Sequence, residues 1–178
     1  MSSATPDSRR LFFALWPDAP LQQRIHASAC RAIGKDIKCV PAHNLHITLA
    51  FLGASSPEQR NCYEQAAATI QASAFTLNLE RIGHWPAPRV LWLGPVQSPE
   101  SLLHLVRDIN AGLLDCGVTP EARPFQAHMT LARHVASPLP VQSLAAMTWP
   151  VREFVLAESC AEPAGARYRV LVSWPLLQ

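Results

Sequence analysis

His46-Ile47-Thr48-Leu49-Ala50 returns 82 residues later as His128-Met129-Thr130-Leu131-Ala132, in a chain of 178 residues that holds only 7 histidines. Chance does not write so specific a phrase twice at that composition. In an extended strand the side chains at i, i+2 and i+4 share one face. Each copy therefore presents an imidazole beside a hydroxyl, with a small alanine leaving room next to them. Ile47, Leu49 and Phe51 in the first copy, and Met129 and Leu131 in the second, are expected to point the other way, into a core. Two such strands read as two half-sites facing one cleft.

Paired imidazoles and hydroxyls suit phosphodiester hydrolysis. A base must deprotonate the attacking water, and an acid must protonate the oxygen that leaves on the far side of phosphorus. Histidine, with an ordinary pKa near 6.5, serves either role around neutrality, each worth ~10²–10⁴-fold in rate. Two imidazoles on opposite walls match an in-line displacement, and two threonine hydroxyls can donate to the non-bridging oxygens. Such a scheme needs no metal. The spacing allows this chemistry without identifying the substrate.

The elements that must position these residues are legible in outline. Arg10–Trp16 reads as a buried strand. Asp18 and Pro20 open a helix with Leu21, Ile25, Ala29 and Ile33 on one side, closed near Gly34. A short strand is expected around 37–40, then the first signature strand over Leu45–Leu52. Ser56-Pro57-Glu58-Gln59 is a capping-box start for a helix running to about Ala72. Strands over Phe75–Ile82 and Arg89–Val96 follow. Ser98-Pro99-Glu100 opens a helix carrying Leu102, Leu105, Val106, Ile109 and Leu113 and stopping at Gly117. The second signature occupies Pro124–Ala132. A short helix is expected near 141–147, then strands over Val151–Ser159 and Tyr168–Trp174, joined through Glu162-Pro163-Ala164-Gly165. Trp16, Trp85, Trp149 and Trp174 each precede proline, which cannot donate to a sheet ladder, so these pairs mark strand ends or edges. The expected fold class is α+β: a bilobal chain of two mainly antiparallel sheets backed by helices, with pseudo-twofold symmetry and a central cleft. One two-lobed domain spans 1–178, with residues 1–9 as a flexible tail.

Bulk properties exclude little else. Net charge is +2 and 49% of residues are hydrophobic, an ordinary globular balance that announces neither a nucleic-acid coat nor a membrane patch. Lys35 and Lys38 are the only lysines against thirteen arginines; base composition of the gene accounts for most of that skew, and the mild net charge is compatible with a local phosphate site. Five widely spaced cysteines without a C-x-x-C pattern argue against a zinc site or a disulfide framework and for a reducing compartment. Arg9-Arg10 before an apolar run imitates an export signal, but the run stops at Trp16, too short for a signal core. No stretch reaches membrane-spanning length. The cytoplasm is the expected location.

Across nearly its whole length the chain resembles the two-histidine phosphoesterases, specifically the RNA 2′,3′-cyclic phosphodiesterase family, historically called 2′-5′ RNA ligases. The resemblance rests on Arg10–Leu15, on Asn44–Gly53 around the first His-x-Thr, on Val90-Leu91-Trp92-Leu93-Gly94, on Phe125–Arg133 around the second, and on Tyr168-Arg169-Val170-Leu171. It implies a bilobal fold and metal-independent opening of a 2′,3′-cyclic phosphate at an RNA or oligonucleotide end, leaving a 2′-phosphate. It implies His46 as proton donor, His128 as proton acceptor, Thr48 and Thr130 as phosphate holders and Arg133 as a further positive contact. No cofactor or metal is implied, and a monomer is the default. Many relatives carry proline just before the second histidine, where this chain has Ala127; no catalytic group is lost.

Other readings of single residues remain open. Arg133 lies at i+5 from His128, so strict alternation puts it on the wrong face, and a twist or bulge must turn it inward. His43 and His46 have no carboxylate or cysteine near them in sequence to complete a metal site. His134 reads as solvent-facing, and His26, His84 and His104 as ordinary surface or helix positions. Phe13, Trp92 and Phe51 are candidates for stacking a base, although Phe51 is expected to face away from His46. The alternative functions are a phosphoesterase for small cyclic nucleotides or 2′-5′ linkages, and a nucleotide-binding module without turnover. Reverse 2′-5′ ligation follows from microscopic reversibility.

Overall fold

Each half of the chain lays down an apolar strand, turns back through an amphipathic helix and then enters a strand bearing the His-x-Thr phrase. In the computed structural model, which describes residues 9–136, 139–163 and 165–178, the first such unit is β1 (Arg9–Leu15), α1 (Ala19–Ile33) and β2 (Ile47–Ser55). The second is β4 (Val90–Gly94), α3 (Glu100–Leu114) and β5 (Met129–Arg133). Between them lie α2 (Pro57–Ala68) and β3 (Phe75–Trp85), and the chain closes with β6 (Gln142–Val151), β7 (Glu153–Glu162) and β8 (Gly165–Pro175). The tail expected over residues 1–9 lies outside the described residues except for Arg9, which opens β1.

Local signals start and stop the helices. The Asp18 carboxylate accepts the Leu21 N–H at 2.8 Å, and Gly34 ends α1 at φ +89°, a conformation only glycine adopts without strain. Leu21, Ile25, Ala29 and Ile33 are its buried stripe. At α2 the reciprocal Ser56–Gln59 capping box forms. That helix stops at Ala68, four residues before the expected end, and the Thr69 hydroxyl donates to the Ala66 carbonyl at 2.8 Å. Leu102, Leu105, Val106, Ile109 and Leu113 face the core from α3.

Eight strands join in the order β6-β3-β4-β5-β2-β1-β7-β8. Two mainly antiparallel sheets are expected from sequence; instead two antiparallel halves of four strands are stitched into one sheet by a single pair, Ile47 with Met129. β2 and β5 begin at that pair and run apart, so the halves diverge from it. One face of the sheet packs on the main core, which includes residues of all three helices; on the other, Phe12, Ala14, Val155 and Ala157 form a smaller cluster with Trp16 and Tyr168. The tryptophan–proline pairs fall as expected. Trp16 and Trp85 stand at the ends of β1 and β3, while Trp149 and Trp174 lie on the edge strands β6 and β8.

Further expectations are corrected. The stretch 37–40 is coil whose Val40 N–H donates to Leu131 O at 2.7 Å. The helix expected near 141–147 is strand β6, paired with β3; Met147, Trp149 and Val151 alternate inward with a period of two. Finally, Cys62–Cys116 and Cys30–Cys39 are disulfides. Packing of α2 against α3 brings the first pair together across 54 residues, a proximity no local spacing reveals. The reducing-compartment reading loses its support. No helix among the described residues is long and apolar enough to cross a membrane.

Candidate active site

The seam pair consists of the middle residues of the two His-x-Thr phrases. In an antiparallel register, Ile47 opposite Met129 sets His46 against Thr130 and Thr48 against His128. The repeated phrase thus pairs with itself about a local twofold axis, and both imidazoles and both hydroxyls fall on one face. His46, Thr48, His128 and Thr130 all line a single cavity of about 970 Å³.

Both imidazoles are held by the same device. His46 Nδ1 lies 2.7 Å from the carbonyl of Asn44, and His128 Nδ1 lies 2.9 Å from the carbonyl of Gln126. A carbonyl only accepts, so each Nδ1 carries the proton and each Nε2 is left as the reactive nitrogen. At the first site that nitrogen accepts from the Thr48 hydroxyl at 3.2 Å.

The motif leucine is the extra residue of a β-bulge in both copies. On β2, Ala50 pairs with Phe13 and Thr48 with Ala14, leaving Leu49 without a partner. On β5, Ala132 pairs with Leu91 and Thr130 with Trp92, leaving Leu131 over. A bulge shifts the alternation beyond it. Arg133, opposite Val90, accordingly lines the cavity. Phe51 occupies the matching position of the first strand. It is opposite Phe12 and 66% exposed at the cavity wall, which corrects the expectation that it faces away into a core.

Around this shared backbone the two sites differ. His46 is walled by aromatics: Trp16 stacks on it at 5.2 Å, with Phe12 and Tyr168 each at 5.0 Å. His128 meets one ring edge, Trp85 at 4.6 Å. Trp85 leans on Trp92, whose indole covers Gly83 so closely that a Cβ there would fall within 2.2 Å of the ring. Desolvation is the main cause that drives the pKa of His46 down to about 4; Arg133 and His128 add charge repulsion, and the bond to Asn44 opposes. Desolvation, then Arg133, also lowers His128, against the bond to Gln126. Both rings are therefore neutral near pH 7.

The His-x-Thr spacing does not mark Asn44 as a site residue, yet it does more than supply a carbonyl. Buried at 4% exposure, its amide donates to Ala166 O at 2.8 Å while its Oδ1 accepts the Tyr168 N–H at 3.1 Å. It thereby fastens the strand bearing Tyr168 to the segment entering β2. The available signal was the amide residue two places before each histidine, Asn44 and Gln126. Other candidates fall elsewhere. Phe13 and Trp92 are buried; His43, His104 and His134 are exposed; the ring nitrogens of His84 are buried without a partner among the described residues.

Comparison with known proteins agrees with this geometry. Residues 17–160 match the family model described as the 2′-5′ RNA ligase superfamily. The chain is 34% identical to the RNA 2′,3′-cyclic phosphodiesterase of Escherichia coli, over 97% of this chain and 99% of that one. It is 32% identical to the protein of the same name from Thermus thermophilus, covering 94% and 90%. The crystal structure of E. coli LigT in apo form superposes with a TM-score of 0.87 at 33% identity, covering 97% of this chain and 99% of that one. LigT has also been crystallised with 3′-AMP (TM-score 0.88, 33% identity, 97% and 100% covered). With both His-x-Thr strands in place and the match running the length of the chain, this protein belongs to the 2′-5′ RNA ligase superfamily.

Proposed function

We propose that this chain hydrolyses the 2′,3′-cyclic phosphate at an RNA end to a 2′-phosphomonoester, without a metal ion, with His46 as proton donor and His128 as proton acceptor. The observation that carries the reading is the self-paired motif, which leaves two Nε2 nitrogens of matched tautomer facing one cavity. Water attacks phosphorus opposite O3′ and gives its proton to His128 Nε2. The P–O3′ bond breaks, and O3′ takes a proton from His46 Nε2. Solvent then carries the proton back to reset the pair.

The surroundings support that division of labour. The attacking water has to come from solvent, which suits the less enclosed His128. The aromatic wall of His46 keeps competing water from the leaving oxygen. Thr48, Thr130 and Arg133 donate to the non-bridging oxygens, where charge is concentrated. A bound phosphodiester anion also offsets the repulsion that holds both imidazoles neutral, so the substrate itself favours protonation of His46. One chain supplies both half-sites, and we read it as a single two-lobed domain acting as a monomer. The cytoplasm is our proposed compartment, which requires the two disulfides to be reduced there. A 5′-hydroxyl in place of water gives the reverse 2′-5′ joining.

The test is turnover of an oligonucleotide ending in a 2′,3′-cyclic phosphate, in the presence of EDTA. Product carrying a 2′-phosphate is expected. Binding without conversion would replace the enzyme with a nucleotide-binding module. Conversion of cyclic mononucleotides alone would narrow the substrate to that class.

A further inference from the structure

A second group of chemically capable side chains lies apart from the cleft. His26 and Cys30 are one turn apart on α1, and Cys39 comes from the coil that follows it. Their ligand atoms lie within 4.8 Å of one another, and all three residues are half-buried. The Cys30–Cys39 disulfide accounts for the two sulfurs. It does not account for the imidazole, whose Nε2 sits 3.6 Å from Cys30 Sγ. A tetrahedral zinc ion with Zn–S of about 2.3 Å and Zn–N of about 2.0–2.1 Å sets its nitrogen and sulfur ligands roughly 3.6 Å apart. Two thiolates and an imidazole, with no carboxylate among them, select a thiophilic ion over magnesium or calcium.

We propose that His26, Cys30 and Cys39 bind a single Zn²⁺ when the disulfide is reduced. Reduction by a thiol or phosphine adds two electrons and two protons, opening the S–S bond to two thiols. Zinc then displaces both protons, takes two thiolates and neutral His26, and completes its shell with water. In the disulfide form both sulfurs are committed to each other and the site is closed.

This cluster stands behind both signature strands. Val40, next to Cys39, donates to the carbonyl of the bulged Leu131 at 2.7 Å, and Gln22 of α1 donates to Leu45 O at 3.1 Å, one residue before His46. Either link, covalent or metallic, ties α1 to the coil that buttresses the two copies. Zinc therefore replaces the covalent closure under reducing conditions, and the catalytic step proceeds without it.

The experiment titrates Co²⁺, then Zn²⁺, into the full chain, oxidised and anaerobically reduced. The reduced protein is expected to take up one equivalent of Co²⁺ with a thiolate-to-cobalt charge-transfer band that Zn²⁺ abolishes, and Zn²⁺ is expected to raise its unfolding temperature. Oxidised protein should show neither effect. Cys30→Ser and Cys39→Ser should each lose the band, His26→Ala should weaken binding by at least ~10-fold, and the Cys62→Ser/Cys116→Ser double variant should keep it. No band in reduced wild-type protein, equal binding by oxidised protein, or a band that survives Cys39→Ser would overturn the proposal. The oxidised–reduced comparison needs no variant to fold.

Discussion

The first and second His-x-Thr strands share a backbone and differ in their surroundings. Both histidines bond through Nδ1 to the carbonyl two residues earlier, both threonines face the cavity, and both leucines are bulged. Around that common frame, Asn44 is buried and ties β8 to the site, whereas Gln126 is exposed. Three aromatic rings enclose His46, and one touches His128. The matching bulges deliver an apolar ring, Phe51, on one side and a cation, Arg133, on the other. A twofold backbone turns two Nε2 nitrogens toward one cavity. Acid–base chemistry then needs the two to be unequal, and the side chains around them break the symmetry.

Removing either imidazole tests the shared part most severely. His46→Ala and His128→Ala should each lower kcat by at least ~10²-fold with the thermal unfolding profile near pH 8 little changed, because each deletes a whole proton-transfer role. Near-full turnover in either variant breaks the pairing. Thr48→Val and Thr130→Val should each cost about 1–3 kcal/mol in kcat/KM through a lost hydrogen bond to phosphate, and similar losses are expected because the two occupy equivalent positions.

The unequal part is read by pH. With both pKa values below the ordinary 6.5 in the free protein, kcat/KM should rise as pH falls below about 7, as the singly protonated pair becomes populated, and decline again once both rings are charged. Arg133→Ala should move that profile to higher pH, since its charge depresses both rings, and lower kcat/KM about 10-fold, near 1.4 kcal/mol. Phe51→Ala should leave the profile where it is. A shift from the phenylalanine and none from the arginine would reverse the electrostatic assignment.

The smallest effect separates the two pockets. His46 titrates near 4 in the folded protein against 6.5 when unfolded, so below 6.5 the unfolded chain binds the extra proton. Its contribution, up to about 3 kcal/mol, is fully present above pH 6.5 and is lost progressively as pH falls toward 4. Trp16→Leu should flatten that acid-side loss of stability by admitting water to His46. Trp85→Leu should change it less. Urea unfolding at a series of pH values distinguishes them, and equal responses would dissolve the distinction between the walls.

From the sequence alone followed the duplicated phrase, its period-two face, the amphipathic stripes of α1 and α3 and the α+β class, because these depend on neighbours within a few residues. The requirement that Arg133 be turned by a bulge was also visible. Which residue bulges was not: Leu49 and Leu131 lose their partners only when β1 and β4 are laid beside them, and the same shift brought Phe51 out of the presumed core. Strand β6 hid behind a short apolar stretch because an edge strand has its pattern set by the partner it meets. The disulfides joining residues 9 and 54 positions apart, the Asn44 bridge to β8 and the aromatic wall around His46 were decided by tertiary packing. Residues far apart in the chain acquire common chemistry only through the folded distances between them, which no local spacing encodes.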